Sequence, residues 1–359
     1  MERRRTRLRS GPVVAVIVAA VLGGVAGGLI VAALSGDDDD PSGDEASCSA
    51  TTVAEQDLPS VVTIKVSGPG AQGSGSGSIF DADGHVLTNN HVIAAAASAG
   101  NVEVIFNDGE TSSATITGRD PATDLAVIEV AQPGERQPIS LGESSAVRIG
   151  EPTIALGAPL GLSNTVTGGI VSALDRNVSV PGEGAQGALL VDAIQTDAAI
   201  NPGNSGGALV DCDGALIGVP TAGATVPNAA GQASAGSVGI GFAVPTDLAK
   251  LVADEIISTG KVEHAYIGLH ATLVEGSEGA PSGLRVLAVD PGGPAAQAGI
   301  QVGDVITAVE GDAVESADQL FALTLTKRGG APLQLEVERD GSAQTVEVTL
   351  GSAPSNAAP

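Results

Sequence analysis

The segment Asn201–Gly207, N-P-G-N-S-G-G, places one serine, Ser205, among glycines and between the apolar, strand-like runs Val191–Ile194 and Ala208–Val210. The flanking glycines permit a tight turn that lifts the Ser205 hydroxyl out of a packed core. Such a turn also lets backbone N–H groups converge on one point, as a developing oxyanion requires. Most glycine-rich turns only reverse the chain, so this segment does not define a catalytic site by itself.

Two upstream segments add the residue types that activate a serine. The segment TNNHV contains His91 after an apolar alternation, and the segment ATDLAVI places Asp124 at the entry to an apolar strand. A serine hydroxyl is a poor nucleophile until a base takes its proton. An imidazole can act as that base when a buried carboxylate fixes its tautomer. The chain order His, Asp, Ser is that of chymotrypsin-type proteases, and two glycines directly after Ser205 do not fit the G-x-S-x-G elbow of α/β-hydrolases.

Two alternatives remain open from these residues alone. Asp120 lies four residues before Asp124 and could supply the carboxylate instead. The histidine, the aspartate and the serine could also be a satisfied core residue, a cap and a turn residue in unrelated places.

The chain resembles the HtrA/Deg serine proteases over about 300 of its 359 residues. The blocks TNNHV, TDLAV and GNSGG in this order and spacing carry the resemblance to the protease domain, and residues 266–350 resemble the PDZ domain of that family. The resemblance implies a mostly β protein, in which a chymotrypsin-like double β-barrel protease domain is followed by one PDZ domain. One departure is Ala158 in the segment ALGAPLG, where the family usually carries asparagine, and it concerns local loop geometry only.

The resemblance also implies the roles of individual residues. His91 is expected to act as the general base, Asp124 to orient it and Ser205 to attack the substrate. The N–H groups of Gly203 and Ser205 are expected to form the oxyanion hole. The specificity pocket should be lined by three uncharged residues and prefer small or medium aliphatic side chains: Ile200, Ala224 and Ile240.

Two further features of the family match this sequence. The tetrapeptide Tyr266-Ile267-Gly268-Leu269 resembles the loop with which an HtrA PDZ domain binds a peptide carboxylate. Arg176 follows the segment GIVSALD, where the family has an arginine that reports PDZ occupancy to the active site. The alternative is that Arg176 forms an ordinary surface ion pair. The polar, glycine-rich segment 177–187 is expected to be a movable loop.

The N-terminus predicts export. Five arginines lie within residues 1–11, and the 23 residues 12–34 carry no charge, enough to cross a bilayer as a helix. The arginines predict that residues 1–11 stay in the cytoplasm; the alternative is a cleaved signal peptide. The remaining chain is expected to divide into four parts: an acidic linker (35–54), the trypsin-like protease domain (55–259), the PDZ domain (260–350) and a disordered tail (351–359).

Composition excludes several function classes. A net charge of −26 argues against nucleic-acid binding. The four histidines lack metal-ligand spacing, so no metal or organic cofactor is expected. With no tryptophan, one tyrosine and four phenylalanines, the core must consist of aliphatic side chains. Cys48 and Cys212, in an exported chain, suggest one disulfide, with two free thiols as the alternative.

These features predict a membrane-anchored, extracytoplasmic serine endopeptidase that cleaves misfolded or specific envelope proteins and binds C-terminal peptides at its PDZ domain. The family also predicts a homotrimer formed through the segment that begins at Leu58. The alternative from another class of protein function is a PDZ-based, peptide-binding chaperone or sensor with minor proteolysis. A signalling protease with one membrane client would differ only in its substrate range.

Overall fold

The computed structural model describes residues 48–158, 164–182, 187–223, 237–275 and 281–353. The predicted basic segment (1–11), the predicted membrane span (12–34) and most of the predicted linker lie outside these residues. Among the residues described, no helix is both long and apolar enough to cross a membrane.

The described chain begins with a short helix, α1 (Ala50–Asp57). The Ser49 side chain caps it by accepting a hydrogen bond from the backbone N–H of Thr52, and Val53 packs into a buried apolar cluster that includes Val61 and Leu156. Residues 50–54, which were predicted to belong to a linker, are therefore helical.

Six antiparallel strands form the first closed barrel: β1 (Val61–Gly68), β2 (Ala71–Ile79), β3 (His85–Asn89), β4 (Asn101–Ile105), β5 (Thr111–Asp120) and β6 (Leu125–Val130). Their order around the barrel is β1-β2-β3-β6-β5-β4. The one-turn helix α2 (Asn90–Ile93) follows β3 directly. In β4, Val102 and Val104 are buried while Asn101 and Glu103 are exposed, so alternation along the strand supplies an aliphatic core.

Six more strands form the second closed barrel, in the order β10-β11-β12-β9-β8-β7. They are β7 (Pro152–Gly157), β8 (Thr165–Val180), β9 (Ala188–Thr196), β10 (Ala208–Val210), β11 (Leu216–Gly223) and β12 (Gly241–Pro245). The helix α3 (Thr246–Thr259) follows the second barrel, and it ends at Gly260 with φ +78°.

A disulfide joins Cys48 and Cys212, as predicted, with a Cα–Cα distance of 5.0 Å. It ties the start of α1 to the turn that follows β10. The same turn contains Gly214, where an added Cβ would collide with the Asp57 carboxylate. The chain before the first barrel is therefore fixed to the second barrel, which contains the predicted nucleophile Ser205.

The C-terminal domain contains β13 (Ala265–Tyr266), β14 (Leu269–Glu275), β15 (Pro281–Val289), α4 (Pro294–Gln297), β16 (Val305–Val309), β17 (Asp312–Ala313), α5 (Asp318–Thr326), β18 (Pro332–Arg339), β19 (Ser342–Thr349) and β20 (Gly351–Ser352). The main sheet has the order β14-β15-β16-β18-β19, with β17 paired to β16. Because β20 pairs with β13, the first two residues of the predicted disordered tail form a strand; residues 354–359 lie outside the description.

Candidate active site

The His91 and Asp124 side chains meet where α2 and the start of β6 adjoin. The Asp124 carboxylate accepts two hydrogen bonds from His91: Oδ1 from the backbone N–H at 2.9 Å and Oδ2 from ring Nδ1 at 2.7 Å. The Asp124 side chain is 4% exposed and that of His91 42%. Because Nδ1 donates to the carboxylate, Nε2 is the ring nitrogen that can accept a proton at the accessible face.

Asp124 is held in an unusual backbone conformation, with φ +56°. Its carbonyl accepts hydrogen bonds from the Asn90 N–H (3.0 Å) and from the Asn89 side-chain amide (2.9 Å). Residues other than glycine rarely adopt this left-handed backbone conformation, and they keep it only where the surrounding structure fixes them. The fixed turn directs both carboxylate oxygens at one histidine.

The rival carboxylate, Asp120, has different partners. It accepts hydrogen bonds from His264 Nε2 at 2.8 Å and from the Thr123 hydroxyl at 2.6 Å. Asp120 therefore belongs to the junction with the C-terminal domain, and Asp124 is the carboxylate that contacts His91.

Ser205 lies on the turn before β10 and borders the first barrel. Its carbonyl accepts a hydrogen bond from the Ser76 N–H at 2.9 Å, and its hydroxyl donates to the Thr221 carbonyl at 3.3 Å. Gly206 has φ +82°, and a Cβ there would collide with the Ser76 carbonyl and the Thr88 hydroxyl. The glycine after Ser205 is therefore required by close approach as well as by conformation.

Asn89 and Thr221 link the segment of Asp124 to that of Ser205, and neither residue was identified from the sequence. The Asn89 side-chain amide donates to the Asp124 carbonyl and, at 2.8 Å, to the Thr221 hydroxyl. Thr221 in turn supplies the carbonyl that accepts the Ser205 hydroxyl. The position of Asn89 directly before α2, the helix that contains His91, could have indicated its role from the sequence. The role of Thr221 is visible only in the folded structure.

The predicted oxyanion-hole residue Gly203 has φ +105°, a conformation that favours glycine. The turn around it is closed by a hydrogen bond from the Asn204 N–H to the Asn201 carbonyl at 3.0 Å. The Gly203 carbonyl accepts a hydrogen bond from the Ser76 hydroxyl at 2.6 Å. Backbone N–H groups of such a turn can stabilise a negative oxygen.

Two of the three predicted pocket residues border the same pair of glycines. Gly223 and Gly241 face each other across β11 and β12. A Cβ on Gly241 would collide with the Ile200 side chain, and one on Gly223 would lie 3.2 Å from the Ile200 carbonyl and 3.7 Å from the Ile240 carbonyl. Ile200 is buried and Ile240 is 38% exposed. Ala224 lies outside the described residues.

Arg176 lies on β8 opposite Ala193 and is exposed. The segment after it, predicted to be a movable loop, continues as strand to Val180 because it pairs with residues 188–190 of β9. Ser179 on this strand donates to the Asp318 carboxylate at 3.4 Å, at the start of α5. The strand that carries Arg176 is thereby in contact with a helix of the C-terminal domain.

The tetrapeptide predicted to bind a carboxylate is fixed by its neighbours. The Ile267 and Gly268 carbonyls accept hydrogen bonds from the Ala295 and Asp290 N–H groups, each at 2.9 Å. The Tyr266 hydroxyl donates to the Asp290 carboxylate, and this bond raises the pKa of Tyr266 to about 12. Leu269, the fourth residue, begins β14. The loop is thus rigid and leads into the edge strand of the sheet.

Two six-stranded barrels followed by a small β-sheet domain, with His91 paired to Asp124 in the first barrel and Ser205 before β10 of the second, define the class of trypsin-like peptidases with an appended PDZ domain. A trypsin-like peptidase domain family model matches residues 75–219, and a PDZ domain family model matches residues 252–350. In the described part of the chain, no cluster of His, Cys, Asp or Glu side chains is placed to hold a metal ion.

Similarity to individual relatives identifies the family within this class. Serine protease PepD of Mycobacterium tuberculosis is 44% identical over 320 residues, which cover 87% of this chain and 68% of that protein. The periplasmic pH-dependent serine endoprotease DegQ of Escherichia coli is 34% identical over 342 residues, covering 86% and 72%. The HtrA-type protease AlgW, solved with a tripeptide, superposes with a TM-score of 0.68 at 34% identity, covering 85% of this chain and 98% of that one. The chain belongs to the HtrA/Deg family of serine proteases.

Proposed function

We propose that this protein is an extracytoplasmic serine endopeptidase that cleaves misfolded or envelope proteins through His91, Asp124 and Ser205. The observation that carries the proposal is the placement of both Asp124 carboxylate oxygens on His91, at 2.9 and 2.7 Å. The link from Asn89 to Thr221 supports it, because it joins this pair to the residue that accepts the Ser205 hydroxyl.

In the proposed mechanism, the Ser205 hydroxyl exchanges its bond to the Thr221 carbonyl for one to His91 Nε2. His91 takes the proton as Ser205 Oγ attacks the scissile carbonyl, and later gives it to the leaving amine. The buried Asp124 carboxylate stabilises the imidazolium formed between these steps. The N–H groups of Gly203 and Ser205 stabilise the negative oxygen of the tetrahedral intermediate. Water then releases the acyl group by the same steps in reverse.

The proposed specificity pocket is lined by Ile200, Ala224 and Ile240. Gly223 and Gly241 support it, because the lack of side chains at these facing positions lets Ile200 approach β11 and β12 closely. Neither of the two described lining residues is charged. The pocket should therefore favour small or medium aliphatic residues on the acyl side of the cut.

The proposed role of the C-terminal domain is to bind peptide C-termini for regulation or substrate capture. Within the described residues, β14 has a sheet neighbour only on its β15 side, so its other edge can accept a peptide as an added strand. The terminal carboxylate would lie against the N–H groups of the loop Tyr266–Leu269. AlgW was solved with a tripeptide, which is consistent with peptide binding in this family.

The proposed location is outside the cytoplasm, with residues 12–34 as a single membrane anchor and residues 1–11 inside. The Cys48–Cys212 disulfide supports an oxidising compartment. The relatives DegQ and DegP are named periplasmic endoproteases. We further propose a homotrimer formed through the segment from Leu58 onwards, where membrane anchoring would raise the local concentration of subunits.

A fluorophosphonate probe tests the proposed nucleophile directly. We expect stoichiometric labelling of the native protein at Ser205, because an activated serine attacks phosphorus whereas an ordinary surface hydroxyl does not. Peptide mapping by mass spectrometry locates the adduct, and gel analysis of an unfolded model protein records cleavage. Absence of both adduct and cleavage would favour the peptide-binding chaperone. An adduct on another residue would contradict the assignment of Ser205.

Arg176 is proposed to relay peptide binding to the active site, since β8 contacts α5 and Ser179 donates to Asp318. A peptide with a free hydrophobic C-terminus should stimulate cleavage by the wild type, and its C-terminal amide should not. Arg176→Ala should reduce this stimulation by about fivefold or more, in the range of allosteric couplings, while the peptide Kd measured by fluorescence anisotropy changes less than about twofold.

Arg148→Ala is the matched control for Arg176→Ala. Arg148 is an exposed arginine of the same domain that pairs with Glu151 at 2.7 Å, and such a pair contributes little. Its removal should leave stimulation unchanged. Equal stimulation in Arg176→Ala and wild type would contradict the relay.

A further inference from the structure

Ser76, on β2 of the first barrel, makes hydrogen bonds with all of its polar atoms although it lies outside the catalytic triad. Its side chain is fully buried. Its hydroxyl donates to the Gly203 carbonyl at 2.6 Å and accepts from the Ala158 N–H at 2.8 Å. Its backbone N–H donates to the Ser205 carbonyl at 2.9 Å, and its carbonyl accepts from the Thr88 hydroxyl at 2.7 Å.

The two bonds to the nucleophile segment bracket the oxyanion hole. Gly203 and Ser205 are the first and last residues of a three-residue stretch, and Ser76 binds the carbonyl of each. The N–H groups of the same two residues are those proposed to bind the oxyanion. Each fixed carbonyl holds one planar peptide unit, the 203–204 unit and the 205–206 unit. The Ser205 N–H belongs to the unit between these two and the Gly203 N–H to the unit before them, so both N–H groups are restrained by fixed neighbours.

This restraint matters because Gly203 is intrinsically mobile. Its φ of +105° is open to glycine, and glycine alone does not hold one conformation. Electrostatic stabilisation of an oxyanion depends on donors that are oriented before the reaction. A hydroxyl anchored in the rigid first barrel supplies such orientation to a flexible turn of the second.

The Ser76 hydroxyl is itself positioned by Ala158. The Ala158 N–H donates to it, and the Ala158 carbonyl accepts a hydrogen bond from the Thr63 hydroxyl at 2.9 Å. These are main-chain interactions, so they do not depend on the side chain at position 158. The departure from asparagine at this position is thus compatible with an ordered hydroxyl on Ser76.

We propose that Ser76 is a positioning residue that holds the oxyanion hole in its active arrangement by binding the carbonyls of Gly203 and Ser205. The proposal rests on the proposed protease function. Ser76 touches neither substrate nor His91 in this role, and it acts through the direction of two backbone N–H groups. Loss of its hydroxyl therefore affects the chemical step more than substrate binding.

Ser76→Ala tests this proposal. With a fluorogenic peptide, we expect kcat to fall by about 10- to 100-fold, since small misplacements at an active site are costly, while KM stays within about twofold. The rate constant of fluorophosphonate labelling at Ser205 should fall in parallel, because that reaction also places negative charge in the oxyanion hole. Thermal unfolding is recorded for each variant.

Ser78→Ala is the matched control. Ser78 lies on the same strand and is equally buried, but its hydroxyl has no hydrogen-bond partner among the described residues. Its removal should leave kcat and the labelling rate within about twofold of wild type. Ser76→Cys retains a donor at the same position, but a larger and weaker one, and should give an intermediate kcat, which keeps the test valid if Ser76→Ala does not fold.

The outcomes separate this proposal from the protease assignment. If the wild type reacts with the probe and Ser76→Ala or Ser76→Cys has an unchanged kcat, only the role of Ser76 is overturned. Equal losses in Ser76→Ala and Ser78→Ala also overturn it, because they would reflect general disturbance of β2. A wild-type protein that neither reacts nor cleaves overturns both proposals.

Discussion

Ser205→Ala is expected to lower the turnover of an unfolded protein substrate by about six orders of magnitude, and His91→Ala should do nearly the same. The two residues act as one unit, since the base without the nucleophile, or the nucleophile without the base, cannot form the acyl intermediate. Product formation is followed over hours by gel and mass spectrometry, at known concentrations of active sites. These measurements cover the required range of turnover. Wild-type turnover in Ser205→Ala would contradict the triad.

Asp124→Asn tests the third member and should lower kcat by about four orders of magnitude. The substitution preserves size but turns an acceptor pair into one acceptor and one donor. Asp124 accepts from both the backbone N–H and Nδ1 of His91, so an amide can satisfy one of these donors only. The histidine then either loses its anchor or adopts the tautomer that places the proton on Nε2.

Asp120→Asn is the matched control, four residues away and equally buried. Its carboxylate contacts His264 and Thr123. We expect kcat for a short peptide to stay within a few-fold of wild type, because no bond to His91 is lost. Comparable losses in Asp120→Asn and Asp124→Asn would show that the effect arises from a disturbed loop instead of from the histidine.

Sequence order was sufficient for the family and for candidate catalytic residues, because His91, Asp124 and Ser205 each lie in a short local motif. The supporting network could not be derived in the same way. Asn89 meets Thr221 across 132 positions, and Ser76 meets Gly203 across 127. Such pairs depend on how the two barrels adjoin, and no local pattern records that.

The differences from the sequence predictions have the same physical origin. Residues 177–180 open a segment that is polar and glycine-rich as a whole, but they pair with β9 and therefore form strand. Gly351–Ser352 pairs with Ala265–Tyr266, some 86 positions earlier. In both cases the hydrogen bonds of a paired strand outweigh weak local propensity.

Replacement of both Cys48 and Cys212 by serine should lower the free energy of unfolding by about 2–5 kcal/mol. The disulfide spans a sequence separation of 164, so it removes much conformational entropy from the unfolded chain. Urea unfolding followed by circular dichroism measures the shift of the transition midpoint. The native protein in reductant is the control, and an unchanged midpoint in both samples would contradict the prediction.

The loss of stability without the disulfide should also be local to α1 and dependent on pH. The reason is that α1 ends at Asp57, whose carboxylate is unfavourably placed when it is charged. Burial, and then the charge of Asp211, raise the pKa of Asp57 from its ordinary 3.8 to about 6. Docking of α1 is therefore favoured by protonation and weakens as the pH rises through about 6. Without the disulfide, hydrogen exchange of the 50–57 amides, corrected for intrinsic rates, should report more frequent opening at pH 7.5 than at pH 5. Adding Asp57→Asn to the double-serine variant should remove this difference; if the pH dependence persists, Asp57 is not its source.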